Sequence, residues 1–192
     1  MDGLKDILHR KLKHERAALL WKAEGLGERD LRLPRTVTGT NLLGLIKHCL
    51  AVEHGYFVDS FGRASELTLP EIDFDKDPNG DFYATPEERA EDLIDLYRAV
   101  AVEVDRAIDE TPLDAPGHVA WWGERGGTTL GYVLVHVLAD ITRHAGHADI
   151  LREGIDGRAG LLGEGPNLWE PDGGWDTHVL RLTAIAEGFS PQ

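Results

Sequence analysis

Apolar residues recur at helical spacing in four long stretches of the chain. The first runs from about Leu4 to Lys22. It puts Leu4, Ile7, Leu8, Leu12 and Leu19 on one side and Lys, Glu and Arg on the other. The segment GLGERDLRLP breaks it, and Pro34 stops any helix because the residue before a proline avoids the helical region. The second stretch starts near Thr38–Thr40, where a threonine can cap free N–H groups, and continues to Gly62 as a stop. Leu42, Leu45, Ile46, Cys49, Val52 and Tyr56 share its face. Residues 63–84 then read as a loop, longer than compact domains usually carry without a functional reason. Thr85-Pro86-Glu87-Glu88 has the form of a capping box with proline at the first helical position. It predicts a third helix with a stripe of Leu93, Leu96/Tyr97, Val100, Val104 and Ala107/Ile108, ending near Thr111-Pro112. A second loop, LDAPGHVAWWGERGG, precedes a fourth helix from Thr128/Thr129 to Gly154. The Gly- and Pro-spaced tail holds one short helical candidate, 177–187. The pattern shows no strand and no repeat. Four long amphipathic helices with long connections predict an all-α fold, a four-helix bundle.

Composition narrows the function classes. The chain has 192 residues, enough for one domain with a sizeable core. Against 34 Asp+Glu stand 20 Lys+Arg, a formal charge of −14, and no stretch is rich in basic residues. Such a surface repels phosphate backbones and anionic lipid, so the expectation is no nucleic-acid partner and no membrane partner. The charged N-terminus has no signal-like apolar region, and no apolar run approaches a membrane span. The sequence predicts a soluble cytoplasmic protein. Nine histidines accompany a single cysteine, which excludes a disulfide framework and a thiolate-only zinc site. Any metal must be held by histidine and carboxylate.

The fourth helix offers such a set. From Val133, alternate steps of four and three reach Val137, Asp140, His144, His147 and Leu151, the inward line of a packed helix. Asp, His and His occupy consecutive places where apolar residues belong. Charge buried without a partner is costly, so these groups should be paired or metal-bound. Asp140 and His144, four apart, can offer two ligands to one metal from one face, as HExxH histidines do. A third ligand must come from another helix, and His48 is the best placed, at the edge of the second helix's apolar face. Glu53, among Cys49, Tyr56 and Phe57, is the candidate carboxylate to hold a ligand histidine in one tautomer. Two histidines and a carboxylate leave open positions, as in catalytic zinc and non-haem iron sites.

The segments TGTNLLGLIKH (38–48), VEHGYFVDSFGR and RHAGHADILREGIDG (143–157) resemble the DinB-like superfamily, and within it the DUF664 branch. Mycothiol-dependent maleylpyruvate isomerase and the bacillithiol and mycothiol S-transferases belong to the same superfamily. The resemblance covers about residues 4–157 and implies an up-and-down four-helix bundle with a divalent metal between helices; the expected division is a bundle over 1–157 and a C-terminal extension at 158–192 packed on it. It matches His48 to the first family ligand. The other two family ligands lie four apart in the last bundle helix, often as HxxxH with a glycine two residues on. His144 followed by Gly146 matches the second of the pair, so Asp140 matches the first. Aspartate there departs from the usual histidine or glutamate and is shorter. His147 is then a spare: a general base, a neighbour of the ligands or an alternative ligand. His136, one turn before Asp140, is the outside candidate.

The remaining histidines, His9, His14, His54, His118 and His178, read as surface or loop residues, and Cys49 as inert core packing. Trp121 and Trp122 either wall a substrate pocket or plug the bundle end. The leading expectation is a metal-dependent thiol S-transferase. A low-molecular-weight thiol such as mycothiol would add to an electrophilic small molecule, at zinc or alternatively nickel or iron, with His147 moving the proton. A metal-dependent hydrolase is the runner-up. The rival from another class is a non-catalytic metal-binding module that dimerises, and the long helices suit a homodimer.

Overall fold

The computed structural model describes residues 3–189. They divide into two compact units between Ala159 and Gly160. In the first, the four long helices are α1 (Leu4–Trp21), α3 (Leu42–Phe57), α4 (Ala90–Glu110) and α5 (Leu130–Asp156), with a short α2 (Glu28–Arg32) between the first two. Helix α3 packs against both α4 and α5, α1 packs against α5, and α1 also touches α4. The second unit contains α6 (Gly174–Glu187). Among the described residues no helix is long and apolar enough to cross a membrane.

Helix α4 buries the expected stripe of Leu93, Tyr97, Val100, Val104 and Ile108. Helix α1 does not: Leu4 is exposed, and the buried line runs His9, Leu12, Arg16, Leu19. Two polar side chains are admitted because α3 and α4 present carboxylates to them. Arg16 meets Glu53 and Asp105, while the His9 ring nitrogens lie 3.0 Å from Asp105 and from Asp109. In α5 the buried line passes through Val133, Val137, Ile141, Ala145 and Ala148. Asp140 and His144 stand on its shoulder, half-buried, and His147 is exposed. The buried line of α5 keeps Val133, Val137 and Leu151 of the predicted seam and lies one position off it at Ile141, Ala145 and Ala148.

The start of α4 differs from the capping-box expectation. The Thr85 N–H does bond the Glu88 carboxylate at 2.6 Å, but residues 86–89 form a turn. Arg32 takes the carbonyls of Ala84, Thr85 and Glu88, which a helix starting there would need for its first turns. The Ala90 N–H is capped instead by Glu28 of α2, at 2.7 Å. That bond is the leading reason the Glu28 carboxyl is held below its ordinary pKa. Helix α3 begins one residue after the predicted threonines, at Asn41, whose Oδ1 accepts the Gly44 N–H at 2.8 Å. It gives way at Val58 to a short 3-10 turn, and Gly62 closes that turn with φ +61°, a conformation suited to glycine.

The second loop contains a hairpin the sequence pattern does not reveal. Strands β1 (Pro116–His118) and β2 (Gly127–Thr129) pair antiparallel, with Pro116 opposite Thr129. Proline and glycine leave no alternation to read. Val119, fully buried, anchors the loop between the strands, and its N–H bonds the Gly126 carbonyl at 2.8 Å.

Candidate metal centre

The block NLLGLIKH reads residue by residue as a clamp. Asn41 caps α3 and also donates from Nδ2 to the Phe82 carbonyl at 3.2 Å. A Cβ on Gly44 would lie 1.8 Å from that same carbonyl oxygen, so only glycine admits the loop backbone here. Lys47, buried, donates to the carbonyls of Gly80 and Tyr83 at 3.0 and 3.1 Å and pairs with Glu88 at 2.9 Å. The end of the 63–89 loop is thereby fastened along α3. Its residues Asp81 and Phe82 reach His48, one turn after Gly44. Gly44→Ala is expected to destabilise by about 1–3 kcal/mol through overpacking. Helix propensity alone predicts a gain of about 1 kcal/mol from the same change. Urea denaturation gives the sign.

At His48 the loop supplies two contacts. Phe82 stacks on the ring, with centroids 4.2 Å apart and planes inclined by 16°. Asp81 Oδ2 lies 2.7 Å from Nδ1 and accepts its proton. This points Nε2 at Asp140, whose Oδ2 is 3.3 Å away. Two lone pairs facing one another repel unless a proton or a cation stands between them. Burial works against protonating His48, but Asp140 and Asp81 outweigh it and raise the pKa. On the other side of Asp140, His144 Nε2 is 3.6 Å from Oδ1, too far for a hydrogen bond. Its Nδ1 is buried without a partner. Burial and the neighbouring His48 push the His144 pKa down to about 4, so its ring is neutral at neutral pH.

His48, Asp140 and His144 thus present three donor atoms within 4.8 Å of one another. Donors about 2.0–2.2 Å from a tetrahedral zinc stand roughly 3.3–3.6 Å apart. His48 Nε2 lies 3.3 Å from Asp140 Oδ2 and His144 Nε2 lies 3.6 Å from Asp140 Oδ1, so each histidine stands at about that spacing from one of the two carboxylate oxygens. The donor set fits a divalent cation: one carboxylate, one neutral imidazole without a hydrogen bond, and one imidazole tied behind by a carboxylate.

Of the other sequence candidates, His147 lies beside this group, its ring 5.4 Å from that of His144. Glu53 does not join it. Fully buried, it accepts from Arg16 Nε at 3.1 Å and from the Tyr97 hydroxyl at 2.6 Å, so both oxygens are committed to α1 and α4. The carboxylate behind His48 is that of Asp81, which the sequence reading passes over. Its signal was indirect: a glycine and a lysine within a buried helix imply something polar pressed against it. His9 and His54, expected at the surface, are buried. Cys49 is fully buried, and burial pushes its thiol pKa well up, so it is no nucleophile. His136 points elsewhere, to the Tyr56 hydroxyl at 3.2 Å.

A model of the family described as Mycothiol-S-transferase matches residues 7–157. No curated protein matches the chain.

Proposed function

The chain belongs to the mycothiol S-transferase family, and on that premise we propose that it joins a low-molecular-weight thiol, mycothiol in this reading, to an electrophilic small molecule at a divalent-metal site. The observation that carries the proposal is His144, half-buried and without a hydrogen bond, beside Asp140 and an oriented His48. These three would hold the metal, zinc in the first instance with nickel or iron as alternatives. When bound, the metal lowers the pKa of a coordinated thiol so that thiolate is available at neutral pH. Asp81 keeps a proton on His48 Nδ1 and leaves Nε2 free to ligate. Phe82 closes one side of the His48 ring against water. His147, exposed beside His144, takes the proton released by the thiol on a ring nitrogen. Cys49, sealed in the core, supports a sulfur brought from outside.

The same proposal includes an up-and-down four-helix bundle over 1–157 with 158–192 as an extension. It also includes a cytoplasmic homodimer. The mutual packing of α1, α3, α4 and α5 supports the bundle.

Metal analysis of untagged protein beside His144→Ala tests the reading. Near-stoichiometric metal in the parent and its loss in the variant are expected, with thiol consumption lost in parallel. Metal-free parent protein whose melting is indifferent to EDTA would overturn it.

A further inference from the structure

One turn before Asp140, α5 leaves the metal centre and enters a different environment. His136 and Tyr132 line an open groove of about 1080 Å³ together with Trp121, Trp122 and Arg125 of the hairpin loop. Trp122 stands edge-on to both Tyr132 and His136, at 5.8 and 5.3 Å between centroids. Tyr132 and His136 are nearly parallel, inclined by 14°.

The aromatic surface is held in place rather than merely exposed. Trp121 is 56 % exposed. Its Nε1 nevertheless donates to Tyr56 at 3.3 Å, and its ring lies on Gly55, where a Cβ would come within 3.0 Å of it. Val119 of the same loop is fully buried and Trp122 packs partly against the core, while Trp121 stays exposed. Gly123, at φ +58° and ψ −133°, turns the chain sharply between the tryptophans and Arg125. A fixed, wet aromatic face in a concave site is how proteins receive flat apolar ligands.

The charge of the groove runs against that of the chain. With 34 Asp+Glu in the sequence, none of those among the described residues lines it. Beside His136 it holds Arg125, exposed and without an ion pair among the described residues. The N-terminus of the 27-residue α5, capped by Thr129, opens onto the same lining and adds positive potential. A guanidinium with no partner, in an acidic protein, selects a carboxylate or similar anion.

We infer that this groove takes a planar aromatic acid, its ring against the Trp121–Trp122–Tyr132 surface and its anionic group on Arg125. The inference rests on the transferase reading only for what happens to the ligand: an aromatic acid is the electrophilic acceptor. Its reactive carbon faces the His136 end, one turn of α5 from Asp140. For a chloroarene acid the balance is simple. The thiol sulfur forms the C–S bond, the C–Cl bond breaks, chloride leaves with its electron pair, and the thiol proton passes to His147 and then to solvent.

Two measurements separate the inference from its premise. Calorimetric titration with 2-naphthoate and 2-naphthamide needs neither metal nor thiol. The acid should bind at least tenfold more tightly than the amide, and Arg125→Ala should abolish that preference. Trp121→Ala should weaken both ligands. Equal binding of acid and amide, absence of binding, or a preference that survives Arg125→Ala would overturn the inference. The second measurement is turnover of 4-chloro-3-nitrobenzoate and its methyl ester with mycothiol and metal-loaded protein. The acid-over-ester preference in kcat/KM should collapse about tenfold in Arg125→Ala, through KM. Acid-selective binding without turnover supports the groove and counts against the transferase reading. Turnover that favours the ester supports the transferase and overturns the groove.

Discussion

Replacing Glu53 with glutamine will cost the protein about 3–5 kcal/mol of stability, the range for breaking a buried ion pair. Glu53 is fully buried, and its two oxygens hold the Arg16 guanidinium of α1 and the Tyr97 hydroxyl of α4. Burial disfavours the charge on Arg16, yet Glu53, with Tyr97 and Asp105, more than offsets it and raises the guanidinium pKa. Tyr97 is kept neutral by burial and by the same carboxylate, so it remains a donor. Glutamine keeps the shape and removes the charge, and Arg16 is then left with Asp105 alone, at 3.0 Å. The midpoint of urea unfolding should fall sharply. Metal content per folded molecule should not, because Glu53 touches none of the three donors. A double replacement, Arg16→Met with Glu53→Leu, should recover part of the loss, since the buried Arg16–Glu53 charges are gone while the Tyr97 hydroxyl is left without its acceptor. Failure to recover would show that the cluster's hydrogen-bond geometry, rather than its buried charge, is what α1, α3 and α4 require.

Asp105 gives the same cluster a pH dependence. Burial raises its pKa, but His9 and Arg16 together outweigh burial and hold it below the ordinary carboxylate value. A depressed carboxylate stabilises the fold fully above its unfolded pKa, about 3.9, and loses that contribution as pH falls through its folded value. Between neutral pH and about pH 3 the parent should therefore lose more stability than Asp105→Asn, and the two curves should converge in acid. Parallel curves would remove Asp105 from the account.

What the sequence made legible follows from periodicity. The α4 stripe could be read because its positions are apolar or aromatic at helical spacing, with only the Tyr97 hydroxyl turned to a carboxylate. The α1 line could not, because His9 and Arg16 are buried only by virtue of carboxylates on α3 and α4. The spacing of Asp140 and His144 is a property of one helix and needed no tertiary knowledge. The contribution of Asp81 depends on where a 22-residue loop lands, and no local rule places it. Asp81 takes the place expected of Glu53 for the same reason. Glu53, on α3 itself, is taken by Arg16 and Tyr97, and the loop brings Asp81 to His48 instead. The aromatic groove depends likewise on a hairpin made of glycine, proline and threonine.

Asp81→Ala should weaken metal binding 10- to 100-fold, the usual range for loss of a carboxylate behind a ligand histidine. Three features place Asp81 in that range. Its contact with His48 Nδ1, at 2.7 Å, is the shortest polar contact at the centre. Its other oxygen is buried without a hydrogen bond, so no other donor in the protein dilutes its charge. The loop that carries it is fastened by Asn41 and Lys47 independently of the carboxylate, so removing the side chain leaves the backbone where it was. Without Asp81, His48 is free to put its proton on Nε2, the nitrogen that must ligate, and to turn against Phe82. Asp81→Asn retains an oxygen that can accept the Nδ1 proton but lacks the negative charge, and should fall between the parent and Asp81→Ala. Competition against a chromophoric zinc chelator measures all three. An affinity unchanged in both variants would mean that His48 is oriented by Phe82 alone, or that it does not ligate. Measuring His48→Ala alongside separates these outcomes: in the first it still abolishes binding, and in the second it has no effect.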